Sequence, residues 1–105
     1  MNQFENVTVV KKANVYFDGQ VTSRTIIFSD GSTKTLGVML PGEYEFNTDK
    51  AELMEITAGK LDVRLPDTSE TIQIESGQSF NVPAKSAFKV HIHEVTDYVC
   101  SFLED

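Results

Sequence analysis

Three groups of residues in this chain carry side chains capable of chemistry, and their spacing limits what each could do. The acids Glu43, Glu45 and Glu52 lie in or just beyond a run that alternates polar and apolar residues. On a strand, Glu43 and Glu45 share one face while Tyr44 and Phe46 share the other. Two arrangements are open. Tyr44 and Phe46 can fill the core and leave the carboxylates in water. Alternatively Glu43 turns inward, where it accepts hydrogen bonds from sugar hydroxyls or a protonated base. His91-Ile-His93 is the obvious metal pair, but Lys89 shares its strand face and a cation there opposes a metal ion. These histidines therefore read as an exposed strand face, and no metal is expected. Cys100, the lone cysteine, has no base at a recognisable spacing and reads as a buried structural thiol. The cations form no run. Lys34, which leads from Asp30-Gly31 into Gly37, and Lys85, which follows Pro83, are the best placed to hold an anion. No phosphate-binding glycine loop, dinucleotide fingerprint, CxxC or G-x-S-x-G is present.

Strands must position these groups. Apolar or period-2 runs cover 7–10, 15–17, 24–28, 35–40, 43–47, 53–57, 60–65, 71–75, 79–82, 87–94 and 97–103. Asp18-Gly19 and Asp30-Gly31 predict hairpins, because glycine tolerates the positive φ of tight turns. Ala58-Gly59, Pro66-Asp67 and Ser76-Gly77 mark further turns. One short helical turn is expected at Thr48–Leu53, with Thr48 as its N-cap. Many short strands in 105 residues predict a single all-β domain, a sandwich or barrel. In 87–94, Phe88, Val90 and Ile92 should face the interior and Lys89, His91 and His93 the solvent. The last strand is apolar on both faces, which predicts that it is covered; with the small size, this points to a homodimer.

Charge and composition exclude several classes. A formal net charge of -7 argues against nucleic-acid binding, and any anionic substrate needs a local cluster of cations. No apolar run approaches the ~18 residues of a membrane span, and residues 1–6 show no secretory signal. With its single cysteine, the chain is expected in the reducing cytoplasm.

The spacing around the glycines carries a resemblance. Gly37 is followed by five residues and Glu43-Tyr-Glu45; Glu52 is followed by six residues and Gly59; Gly77 is followed by five residues, Pro83-Ala-Lys85, two more and Phe88. This is similar to the two motifs of cupins, with acids at the first two histidine positions, an aromatic at the third, and only Glu52 of the usual type. Phe88 cannot ligate a metal. The phrases Leu36–Phe46, Met54–Gly59, Phe80–Pro83, Ser86–Phe88 and Asp97–Cys100 together resemble the pyrimidine/purine nucleoside phosphorylase family of small cupin-like proteins. The chain departs from that family's pattern at Ala84-Lys85-Ser86 and Asp49-Lys50-Ala51, a matter of loop-level substrate preference.

The resemblance implies a single-domain, cupin-like jelly-roll β-barrel. It also implies phosphorolysis of diverse nucleosides to free base and (deoxy)ribose 1-phosphate, with inorganic phosphate as co-substrate and no cofactor. By analogy with glycoside cleavage, the transition state resembles an oxocarbenium ion. On this view Glu43 binds ribose hydroxyls and is the catalytic group. Lys34 and the amides of the Asp30–Ser32 turn hold phosphate. Tyr44, Phe88 and Tyr98 pack on sugar or base, and Glu52 completes the substrate site. The alternative is a non-catalytic cupin that binds a small sugar or nucleoside.

Overall fold

The computed structural model describes residues 3–66 and 68–103. Nine strands follow in order: β1 (Thr8–Val9), β2 (Asn14–Tyr16), β3 (Val21–Ile27), β4 (Thr33–Met39), β5 (Gly42–Asn47), β6 (Ala51–Arg64), β7 (Ile72–Glu75), β8 (Ser79–Val82) and β9 (Ala87–Leu103). All ladders are antiparallel.

The long strands β6 and β9 form the spine. They pair from Ala51↔Leu103 to Arg64↔Lys89, with register shifts between Ile56 and Leu61. The shifts bend the single hydrogen-bonded ladder of nine strands into two halves, each acting as a sheet of its own. The first half of β6 and the second half of β9 lie in one sheet with β8, β4, β3, β2 and β1. The other halves lie in a second sheet with β5 and β7. The all-β expectation holds, although the hydrogen-bonded ladder does not close on itself. Inner faces of both sheets supply one apolar cluster that includes Val21, Met39, Ile56, Leu61, Val63, Phe88 and Ile92.

Three expected breaks are absent, the first of them the gap between 87–94 and 97–103, which β9 spans without interruption. Ala58-Gly59 is not a turn but the bend inside β6, where Gly59 takes φ +102°. A side chain on Gly59 would run into Thr96 and the Val95 carbonyl, so glycine is required there by both conformation and space. The helical turn at Thr48–Leu53 does not form either, since residues 51–53 are already strand. Thr48 instead ties two loops together. Its hydroxyl donates to Pro83 O at 2.7 Å and accepts from Ser86 N at 3.0 Å. Propensity for a cap is real at Thr48, but the β8–β9 loop supplies a stronger set of partners.

The hairpins at Asp18-Gly19 and Asp30-Gly31 form as expected, joining β2 to β3 and β3 to β4. Of the Pro66-Asp67 turn, Asp67 lies outside the described residues, as do Met1 and Asn2 at the start of the chain. Among the described residues no helix is long and apolar enough to cross a membrane.

Candidate functional site

Strand parity builds a pocket on the inner face of the larger sheet. In the β4–β9 ladder Gly37 stands opposite Tyr98 and Thr35 opposite Cys100. In β6, Met54 is buried opposite Cys100, so Glu52, two residues earlier, shares that inward face. Gly37 lets the Tyr98 ring lie against β4: a Cβ at this position would fall 2.6 Å from Cε1 of that ring. Phe46 and Phe88 stack at 5.4 Å between centroids and close the side. The result is a cavity of about 170 Å³ walled by Glu52, Tyr98, Cys100, Phe46, Phe88 and Met54, with Ser23, Thr35 and Asn47 as neutral polar groups. Tyr16 and Phe102, 47% and 41% exposed, form its rim.

Burial sets the protonation of this pocket. It raises the Glu52 carboxyl above its ordinary range, and a hydrogen bond with the Cys100 thiol offsets part of that rise. Burial pushes the Cys100 thiol up to about 12, and the neighbouring Glu52 charge adds to the effect. The Tyr98 phenol is raised as well, first by burial and then by Cys100 and Tyr16. The pocket therefore favours a proton on each of its acidic groups. Glu52 is the carboxyl among them, and its upward shift favours the form that can donate a proton.

Of the residues singled out in the sequence, Glu52, Phe88 and Tyr98 converge here. The others do not. Tyr44 is buried beside the pocket, and its hydroxyl donates to Leu40 O at 2.7 Å, with Gln20 Oε1 3.0 Å away. Its ring backs Phe46 at 6.3 Å and holds Phe17 at 4.9 Å, so it supports the wall without lining it. The inward placement of Glu43 is corrected: Glu43 and Glu45 are exposed, and Tyr44 and Phe46 take the inner face. Period 2 makes these alternatives mutually exclusive. Lys34 lies on the outer face of the sheet, its Nζ 5.6 Å and 5.8 Å from the centroids of the Phe4 and Phe28 rings. The amides proposed to help it are already engaged. Asp30 Oδ1 accepts from Ser32 N at 2.9 Å and from Ser32 Oγ at 2.6 Å, and these bonds hold the Asp30 carboxyl below its usual value. Cys100 is buried as read, but it lies against Glu52 in the pocket. Phe46, Thr35 and Asn47 escaped notice; the inward pair Tyr44/Phe46 was the available signal for the first.

A second, larger cavity of about 660 Å³ lies on the outer face of the same sheet, between Arg24, Lys34, Leu36, Glu55, Asp97 and Val99. Size alone favours it. The inner pocket is the better site, because Glu52, Cys100 and Tyr98 converge there and burial shifts the protonation of all three, whereas of these only Tyr98 also reaches the outer cavity. A metal does not suit the inner pocket. Besides Tyr16 and Tyr98, its ionisable groups are Glu52 and a thiol held protonated, and Phe46 and Phe88 occupy the adjoining wall.

Comparisons with known proteins place the whole chain among its relatives. A family model described as pyrimidine/purine nucleoside phosphorylase matches residues 11–102. A relative of that name from Sulfurovum sp. (strain NBC37-1) is 64% identical over 103 residues, covering 98% of this chain and 100% of its own. One from Geobacter sp. (strain M21), also so named, is 60% identical with the same coverage. Among solved structures, a protein of unknown function from Acinetobacter sp. ADP1 is similar at TM-score 0.93 and 48% identity, over 96% of this chain and 98% of that one. An RmlC-like cupin from Shewanella frigidimarina is similar at TM-score 0.71 and 15% identity, over 97% and 93%; the likeness is one of fold, and the fold is that of a cupin.

Proposed function

Because this chain belongs to the pyrimidine/purine nucleoside phosphorylase family, we propose that it cleaves purine and pyrimidine nucleosides with inorganic phosphate. The products are a free base and (deoxy)ribose 1-phosphate, which makes the reaction a pentosyl transfer. The observation that carries the reading is identity of 60–64% along essentially the whole length of relatives bearing that name. The inner pocket supplies a place for it.

In this reaction the C1′–N bond breaks, a phosphate oxygen bonds to C1′, and the base leaves with the electron pair and takes up a proton. At about 170 Å³ the pocket is below the usual ~300–1,000 Å³ of a small-molecule site, so it holds the sugar and leaves the base at the rim. There Tyr16 and Phe102 offer aromatic faces. Every base has a π-face, which accounts for breadth of base preference without hydrogen-bond readout. Phe46, Phe88 and Tyr98 pack on the sugar and exclude water from the developing oxocarbenium ion. Glu52 takes the role first sought in Glu43. Protonated, its carboxyl donates to the departing base; ionised, it faces the cationic sugar.

No lysine or arginine lines this pocket among the described residues, so the cation cluster expected for an anionic substrate is not found there. Phosphate is therefore assigned to neutral donors, the hydroxyls of Ser23 and Thr35 and the amide of Asn47. The protein works as a homodimer in the cytoplasm. The apolar strip Leu36, Val38 and Val99 on the outer face supports pairing, and the lone thiol supports a reducing compartment.

Inosine and uridine incubated with the protein and phosphate should each release base, in a phosphate-dependent manner and undiminished by a chelator. Saturable nucleoside binding without turnover across a panel of nucleosides would overturn the enzymatic reading and leave a binding module.

A further inference from the structure

The outer face of the smaller sheet brings together a set of groups that the phosphorolysis chemistry does not use. His91 and His93 project from β9, and Asp62 stands directly opposite His91 in the β6–β9 ladder. His93 Nε2 is 2.9 Å from Asp62 Oδ2, and the two imidazole rings are 4.4 Å apart. One ligand atom from each of the three residues lies within 4.8 Å of the other two. We propose that Asp62, His91 and His93 form a binding site for a divalent transition metal of the zinc type, on the outside of the barrel and separate from the sugar pocket.

The donor set decides the class of ion. Two borderline imidazoles and one carboxylate suit Zn²⁺, Ni²⁺ or Cu²⁺, whereas Mg²⁺ and Ca²⁺ prefer oxygen shells. With bonds of about 2.0–2.2 Å to each donor, ligand atoms around one ion stand roughly 3–4 Å apart. The three residues are near that spacing already, and exposed side chains close the difference by small rotations. The backbone needs no ordering. Leu61, Val63 and Ile92, which alternate with these residues, are buried at 0%, 0% and 1% and pin both strands. The Asp62–His93 hydrogen bond already holds one imidazole against the carboxylate, and a metal would take the place of the proton shared between Nε2 and Oδ2, releasing it to solvent.

Lys89 argued against a metal when the strand was read alone. Across the sheet, however, Glu45 stands opposite Lys89, and Glu43 stands opposite His91. On the other side Arg64 stands opposite Lys89. With Lys60 and its partner Glu75 on β7, the face carries four carboxylates and three fixed cations, so its charge no longer opposes a dication. The ion would clip β6 to β9 from outside, on the side of the sheet away from the core.

Isothermal titration of the untagged protein with Zn²⁺ is expected to show one equivalent bound per chain, with Mg²⁺ giving no signal. His91→Asn and His93→Asn should each weaken Zn²⁺ binding by roughly tenfold or more, with Asp62→Asn weaker by a similar factor. In the unmodified protein, the side-chain ¹⁵N resonances of both histidines should shift on adding Zn²⁺, a readout that needs no variant. The idea is overturned by no binding, by Zn²⁺ binding that persists in the His91→Asn/His93→Asn double variant, by binding that vanishes in Cys100→Ser instead, or by unmoved histidine resonances. Phosphorolysis should be unaffected by the two histidine changes.

Discussion

Substituting Gly37 by alanine tests how the pocket is built. The residue has an ordinary extended backbone, so alanine meets no conformational penalty there. The cost is spatial. The new methyl would sit 2.6 Å from Cε1 of Tyr98 and also against the Thr22 carbonyl oxygen. One neighbour is backbone held in the β3–β4 ladder, and the other is a ring 7% exposed. Neither yields without moving the pocket wall. Overpacking of this kind costs about 1–3 kcal/mol. The unfolding entropy of about 2.1 cal/mol/K per residue gives about 0.22 kcal/mol/K for a chain of 105 residues, and hence a fall in Tm of about 5–14 °C. Scanning calorimetry at one fixed protein concentration measures it, since an oligomer makes Tm depend on concentration. A double-mutant cycle isolates the cause. In a Tyr98→Leu background the ring is gone, and Gly37→Ala should cost at least about 1 kcal/mol less than in the native chain. Turnover of Gly37→Ala should drop even below its Tm, because Tyr98 is displaced. Strict additivity in the cycle, or native stability and turnover in Gly37→Ala, would refute the packing of Tyr98 on Gly37.

Further expectations concern the acidic groups and the bend. Glu52→Gln should lower turnover by about 10²–10⁴-fold if the carboxyl donates a proton; retention of full kcat would remove Glu52 from the chemistry. The same variant has a stability signature. The folded-state pKa of Glu52 lies above its unfolded value, so its favourable contribution is complete below the unfolded pKa, near 4.5, and is lost as pH rises through the raised folded value. Glu52→Gln should therefore gain stability relative to the native chain above that window and not below it, as read by urea unfolding at pH 4 and pH 8. With a thiol pushed up to about 12, the thiolate fraction of Cys100 at pH 8 is about 10⁻⁴, and a disulfide reagent should react with it only after unfolding. Rapid modification of the native protein would contradict that burial. Gly59→Ala should destabilise by about 2 kcal/mol or more, since it strains φ and meets the Thr96 backbone together; a change under 0.5 kcal/mol would show that the β6 bend tolerates a side chain.

How much of the protein was legible in its sequence depends on the range of the interaction concerned. Period-2 alternation put Phe88, Val90 and Ile92 inside and His91 and His93 outside, because adjacent residues on a strand must take opposite faces. Turn glycines marked the hairpins after β2 and β3. Motif spacing pointed to Glu52 and Phe88, and the family resemblance to Tyr98; the three meet in the pocket. The role given to Glu43 came from the resemblance, whereas alternation alone left both faces open and the structure takes the one with Tyr44 inward. Lys34 went to the outer face for the same reason of parity: it stands opposite Ile26 and Ser101, one step out of phase with the inward Thr35 and Cys100. Local sequence therefore determined the strands, most of their faces and the membership of the chain in its family. Only the tertiary structure decided which faces converge, since that depends on pairings such as Gly37 with Tyr98 and Asp62 with His91. Those partners are tens of residues apart, and they meet only because β6 and β9 bend between two sheets.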